Sequence, residues 1–405
     1  MSRSLNSSIR CLVAAGLLSG CSAQMPTLGP ADAAGARVMA DAVPPSSIGW
    51  QQEARARVAA ANMSPLAASR VYAALAVAQY RAVNRIDDAD SDGAMPQHGV
   101  GAGGRAALEA RRGAVAGASA AVLSFLFSTR TTDFEQRVTM EANATPGNVH
   151  PQFALGLAIG RAAGAELVER LKTDRFTTPW TGTVPVGPGM WVANGTPAGA
   201  TFGSVQPYFM TSGDQFRPGA PPAFQATAFL ADLAEVKDFT SNLTDAQRAT
   251  ALYWNLPTGT HTPVGYWNEV AAQYIAELGL NEQAATRVFA LTNAAMMDAL
   301  IGCWEAKYYY WTLRPSQADN QIALAFALPN HPSYPSGHSC VSQSAATVLG
   351  QLFPAKAAEV NAWVADAGLS RMYAGIHYRF DITAGQDIGR AAGMLAIARE
   401  ASLMQ

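Results

Sequence analysis

The sequence predicts an all-α fold, a helical bundle forming a single domain. Of its 405 residues 49% are hydrophobic and only 14% are charged, and much of the apolar content is alanine, the strongest helix former, as closely packed helices require. Helix-like segments follow one another along the chain, with no alternation of strands and helices. No internal repeat of convincing period occurs. A chain of this length can bury one large core, and a formal charge of −2 provides no basic surface of the kind that holds nucleic acid.

The N-terminus has its own logic. Arg3 and Arg10 precede a short apolar run, Cys11 to Leu18, and then Ser19, Gly20 and Cys21. The run is too short to span a bilayer and reads as a signal peptide over residues 1–24. Leu18-Ser19-Gly20-Cys21 resembles the bacterial lipobox, which implies lipid attachment at Cys21, the only membrane association expected, and a place in the cell envelope (outer membrane or periplasm). Cleavage near Ala23 by ordinary signal peptidase is the alternative. Residues 25–47, rich in Ala, Pro and Gly, read as a tether, leaving 48–405 as the domain. Only Cys303 and Cys340 then remain in its body, either as two buried thiols or as a disulfide.

Within the domain, Ser64-Pro65 offers a cap and a first-turn proline, opening a helix to about Val83. Asp88, Asp90 and Asp92 are spaced like the start of a calcium loop, but Gly99 stands where a bidentate Glu is needed, and a solvated loop is the better reading. Helices are expected over about 105–128, 132–143 and 150–173. Residues 176–221, broken by Pro, Gly and Thr, are expected to form a lid or a short hairpin over one face. Further helices are expected over about 222–236, 245–254, 266–278, 282–313, 338–352, 355–372 and 377–400.

Three stretches near the C-terminus carry chemistry. His331-Pro332-Ser333-Tyr334-Pro335-Ser336-Gly337-His338 is a loop feeding a helix start, where free N–H groups and the positive dipole end attract an oxyanion. Ser336 can cap and donate, Gly337 lets backbone approach a ligand, and His338 can move a proton near neutral pH. Lys307 and Arg314, seven apart, should share one helical face about 10 Å apart, close enough for both to reach one anion. Arg314 precedes Pro315 and so lies at the helix end. His377 and Asp381, four apart, should stack on a helical face, so that the carboxylate accepts from the imidazole and leaves the other nitrogen free as nucleophile or ligand. Gly375 offers a break that separates Arg371, at one helix end, from His377 at the next start. Three cations, a Ser-Gly turn and two histidines make a site for a tetrahedral oxyanion.

Lys307-x6-Arg314-Pro315, Pro335-Ser336-Gly337-His338 and Ser370-Arg371-x5-His377-x3-Asp381 resemble the three-part signature of the type-2 phosphatidic acid phosphatase and vanadium haloperoxidase superfamily. Order and spacing agree throughout residues 307–381, and a looser resemblance to soluble bacterial haloperoxidase-like proteins extends upstream through Gly265-Tyr266-Trp267-Asn268-Glu269. The resemblance implies a helical bundle of the haloperoxidase and acid phosphatase type. It implies that Lys307, Arg314, Arg371, Ser336 and Gly337 hold vanadate or phosphate, that His338 is the acid–base residue, and that Asp381 orients His377. His377 would be the phosphatase nucleophile or the ligand to vanadium. His331, seven before His338, resembles a histidine of bromo- and iodoperoxidases, and Trp304 a tryptophan lining their halide side. These two residues favour a vanadate-dependent haloperoxidase acting on halide and hydrogen peroxide. The alternative is an acid phosphatase acting on phosphate esters. Aromatic helices make a homodimer unsurprising.

Overall fold

A computed structural model describes residues 44–91, 103–143 and 149–404. Thirteen α-helices and four short 3-10 turns occur among them, with no strand. The leader, the lipobox and most of the tether lie outside the described residues. The first helix, α1 (Ser46–Ala60), starts inside the stretch expected as tether, because its N-terminus is held: the N–H groups of Ser46 and Ser47 donate to the carboxylate of Glu282. Helix α2 (Pro65–Ser91) runs past Val83 through Ser91, so residues 88–91 are helical and form neither the solvated loop expected there nor a calcium-type loop. The rest of that motif lies outside the described residues.

Helices α3 (Gly103–Leu126), α4 (Thr131–Ala142) and α5 (Pro151–Thr173) fall within two residues of expectation. Glycines let α3 and α5 touch backbone to backbone: a Cβ on Gly156 would lie 1.9 Å from the Ala110 carbonyl. The helix expected at 222–236 is instead α6 (Thr227–Ser241). The chain before it is kept extended by Tyr310 and Tyr334, whose hydroxyls donate to the carbonyls of Pro218 and Gly219. Helices α7 (Asp245–Tyr253) and α8 (Thr262–Glu277) lead into α9 (Glu282–Tyr310), the central helix, buried along most of its length.

Residues 176–221 form no hairpin. They are a strap of coil with one 3-10 turn, Phe202–Ser204, laid along α9. Their apolar anchors Trp191, Phe202, Val205, Phe209 and Met210 are buried. The carboxylate of Asp298, on α9, accepts the N–H groups of Tyr208, Phe209 and Met210 at 2.7 to 2.9 Å.

After a single turn, α10 (Pro315–Ala318), come α11 (Gly337–Leu352), α12 (Ala357–Tyr373) and α13 (Arg379–Ala398). The α13 glycines bring two site elements together. A Cβ on Gly385 would lie 2.6 Å from the Ser336 carbonyl, and one on Gly389 would lie 2.4 Å from that of Cys340. No larger residue fits, so the start of α13 is pressed against the start of α11.

Candidate active site

The cavity at the C-terminal end of α9 is ≈ 200 Å³, room for roughly six or seven waters at about 30 Å³ each. Trp304, His331, Gly337, His338, Arg371 and His377 line it, with Leu300, Phe326, Pro329, Val341 and Ile376 as apolar wall. Of the residues singled out in the sequence, Lys307, Arg314, Ser336 and Asp381 lie fully buried around the same loop.

Lys307 and Arg314 do not converge as helical neighbours. Helix α9 ends at Tyr310 and Trp311 takes the left-handed conformation, φ 51°. Thr312 then forms a bridge with Met190, and Trp191 donates to the Trp311 carbonyl at 2.7 Å. The strap thus pulls residues 311–314 out of the helix, and Arg314 enters the site from an extended segment. That tertiary pairing is what a count of seven residues could not show. The Lys307 ammonium donates to the carbonyls of Pro332, at 2.8 Å, Ser333, at 2.7 Å, and Pro335. All three of its protons are therefore engaged in shaping the loop that presents Ser336 and Gly337.

Arg314 donates to the His331 carbonyl at 3.0 Å and to the Ile376 carbonyl at 2.7 Å, and it reaches two imidazoles: His377 Nε2 at 3.1 Å and His331 Nδ1 at 3.0 Å. A guanidinium only donates, so both ring nitrogens accept. For His377 this places the remaining proton on Nδ1, which gives it to Asp381 Oδ2 at 2.7 Å. The lone pair therefore lies on Nε2, where it accepts from Arg314 and becomes the reactive position when that hydrogen bond is given up. Asp381 Oδ2 also accepts from Ser333 Oγ at 2.5 Å and from Tyr378 N–H at 3.1 Å, while Oδ1 has no partner among the described residues. His377 precedes α13, and Asp381 is its third residue. Their contact is therefore made at a helix N-terminus and not along one helical face as the spacing implied. Ser333 was passed over in the sequence, although it lies inside the loop read most closely.

Arg371 ends α12, and Gly375, at φ +73°, makes the break that frees His377. The guanidinium donates to Ser370 Oγ at 3.0 Å and to the Ala251 carbonyl at 3.0 Å, and lies over the Phe326 ring. His338 Nε2 donates to the Trp254 carbonyl at 2.8 Å. The unpaired carbonyls at the end of α7 thus hold two site residues, a role no side-chain motif announces. Ser336 caps α11, its Oγ accepting from Ser339 N–H at 3.4 Å, and a Cβ on Gly337 would meet the Trp304 ring at 3.0 Å. Cys303 and Cys340 are free, buried thiols behind this loop, so the disulfide alternative does not hold.

Lys307, Arg314 and Arg371 bring three cations to the site, and Asp381, which faces Lys307 and Arg314, is its one buried carboxylate among the described residues. Burial lowers Lys307 to about 8, Arg314 to about 10 and Arg371 to about 9. All three remain mainly charged at neutral pH. Burial also raises Asp381 to about 6, against the hydrogen bond from Ser333 and the charge of Lys307. His331, His338 and His377 are pushed well below the usual histidine value by burial first and nearby cations second, so all are neutral. An uncompensated positive charge, the free amides of a sixteen-residue helix and one imidazole lone pair suit a tetrahedral oxyanion.

The family model described as the PAP2 superfamily matches residues 286–401, the span that holds every one of these side chains. This segment is similar to the PAP2 superfamily. A non-specific acid phosphatase of Salmonella typhi is 33% identical over 103 residues, 24% of this chain and 41% of that protein; the chain thus spans about two-fifths of that relative's length. The structure is similar to that of a bacterial vanadium-dependent iodoperoxidase, with TM-score 0.72 and 22% identity over 87% of this chain and 95% of that one. It is also similar to a bacterial vanadium-dependent chloroperoxidase in its holo form, with TM-score 0.60 and 15% identity over 73% of this chain and 83% of that one. The apo form gives TM-score 0.66, 15% identity and coverages of 84% and 94%. The matched segment is thus built into the all-helical vanadium haloperoxidase fold.

Proposed function

We propose that the protein is a vanadate-dependent haloperoxidase that oxidises iodide or bromide with hydrogen peroxide. The observation that carries this is the placement of His331. Its ring lies 5.0 Å from Trp304, and its Nδ1 accepts from Arg314, one of the oxyanion-binding cations. It is held neutral on the cavity wall. A pocket that only transfers phosphate has no need of a neutral imidazole and an indole beside the anion. Halide arriving at an activated oxygen needs an uncharged flank from which water is kept out. The likeness to the iodoperoxidase over nearly the whole of both chains supports the reading.

Bound vanadate would supply the activation of peroxide for two-electron oxidation of halide. The chain's own part is to hold the anion and manage protons. Arg314 and Arg371 bring charge to its oxygens, with the Gly337 amide at the start of α11, and Lys307 keeps the loop in shape through its three carbonyl bonds. His377 presents Nε2 because Asp381 keeps the proton on Nδ1. His338, whose Nε2 proton is held by the Trp254 carbonyl, has Nδ1 left to take up and return a proton.

The second reading is an acid phosphatase, favoured by the same His377 lone pair, which is set as a nucleophile, and by the Salmonella typhi relative. One paired assay separates them: peroxide-dependent oxidation of iodide and bromide with and without orthovanadate, beside phosphate release from an aryl phosphate. Vanadate-dependent halide oxidation is expected. Brisk phosphate release with no halide oxidation contradicts the proposal.

A further inference from the structure

A second recess, ≈ 230 Å³, adjoins the anion cavity and shares Pro65, Trp304 and His331 with it. Leu66 of α2, Phe176, and Phe202 of the strap form its other walls. The indole of Trp304 lines both spaces. Its six-membered edge lies against Gly337, and its Nε1 donates to the strap carbonyl of Ala198 at 3.2 Å. Phe176 meets Phe202 edge to face at 6.1 Å, and Phe202 meets Trp304 likewise at 6.3 Å. Such walls favour a planar aromatic guest. The strap's close approach requires Gly199, at φ +73°: a Cβ there would lie 2.4 Å from Leu66 Cδ1 and 2.8 Å from Trp304 Nε1.

The polar groups of the recess are almost all engaged. Thr201 Oγ1 donates to the Thr178 carbonyl at 2.9 Å, and Trp304 Nε1 is taken up as above. The exception is His331. Its Nδ1 lies 3.0 Å from Arg314, which only donates, and 3.3 Å from the Pro332 carbonyl, which only accepts; the shorter contact makes Nδ1 the acceptor and leaves the proton on Nε2, which has no partner among the described residues. An apolar aromatic slot with one unused N–H donor matches a ring bearing a hydroxyl.

We propose that this recess binds a phenolic molecule, the acceptor of the halogen. The ring of an aryl phosphate begins one bond away from the bound anion and would be displaced with it by orthophosphate, whereas a separate reactant would stay bound. Hypohalous acid delivers its halogen to a ring carbon, the ring gives up the proton from that carbon, and the hydroxide left behind takes it to form water. The fate of the guest rests on the haloperoxidase reading; its binding does not.

Calorimetric titration of 2-naphthol into the purified protein, without vanadate, tests this, repeated in saturating orthophosphate. One saturable equivalent is expected under both conditions. Thr201→Phe and Leu66→Phe, each filling the recess and checked for folding by melting, should weaken binding at least tenfold. Naphthalene, lacking the hydroxyl, should bind the wild-type protein about 3- to 10-fold more weakly. Absence of saturable binding, its abolition by phosphate, equal binding of naphthalene, or wild-type affinity in both filled variants would each overturn the proposal. If 2-naphthol binds beside phosphate yet no halide is oxidised, the haloperoxidase reading falls and the recess remains. Halide oxidation without 2-naphthol binding has the opposite meaning.

Discussion

Asp381→Asn isolates the charge that sets the His377 tautomer. Asp381 Oδ2 accepts three hydrogen bonds, from His377 Nδ1, Ser333 Oγ and Tyr378 N–H, while Oδ1 has none among the described residues. An asparagine can therefore keep its carbonyl oxygen at the Oδ2 position and place its amide nitrogen where Oδ1 already lacks a partner. All three bonds survive in geometry and only the charge is lost. Ionic hydrogen bonds contribute about 1.5–3 kcal/mol and neutral ones roughly half as much, so the loss to the imidazole is about 0.7–1.5 kcal/mol. That corresponds to about 3- to 13-fold in vanadate affinity or turnover, near the low end of the usual cost of removing a carboxylate behind a ligating histidine. The melting temperature should move little. Asp381→Ala, by contrast, strands three buried donors at about 1–3 kcal/mol each and should melt far earlier. Calorimetry, vanadate titration and halide oxidation on both variants are the assays. Wild-type affinity and turnover in Asp381→Asn would refute the reasoning, and so would its failure to fold.

His331→Phe keeps a ring against Trp304 but removes the acceptor for Arg314 and the free N–H; halide oxidation should fall at least tenfold while binding of phosphate changes less than about fivefold, read by paired kinetics and titration. Lys307, lowered to about 8, loses its charge as pH rises through that value. Affinity for sulfate, whose own charge is constant, should therefore drop about tenfold between pH 6.5 and pH 9; a flat or rising affinity contradicts this. The same shift makes the anion-free protein gain stability between about pH 8 and 10.5, where the unfolded chain binds the extra proton. In Gly337→Ala the new methyl would sit 3.0 Å from a Trp304 ring already backed by Phe202 and His331. A cost of about 1–3 kcal/mol is expected in denaturant unfolding, with reduced halide oxidation. Cys21→Ala should abolish lipid labelling and release the protein from the membrane fraction, a direct check on the lipobox reading.

Much of this was legible in the sequence because the site is compact in the chain. The loop from His331 to His338 carries an acceptor for Lys307 at Pro332, Ser333 and Pro335, as well as the capping serine. The break at Gly375 was readable because only a positive φ suits it. Helix periodicity found the bundle for the same reason: a single repeating geometry explains most of the chain. The failures share a cause, which is long-range pairing. Arg314 leaves helical geometry because the strap bonds residues 311–313. The start of α6 is delayed by two tyrosine hydroxyls far along the chain. The carbonyls of Ala251 and Trp254 that hold Arg371 and His338 belong to the backbone, and no residue type marks them.

The most direct test of the central claim is a reconstitution titration, in which orthovanadate is added stepwise to vanadate-free protein and iodide oxidation by hydrogen peroxide is measured at each step. Activity should rise in proportion and saturate at one vanadate per chain, and His377→Ala should show no rise at all. Hydrolysis of an aryl phosphate that vanadate merely inhibits, with iodide untouched throughout, would contradict the account.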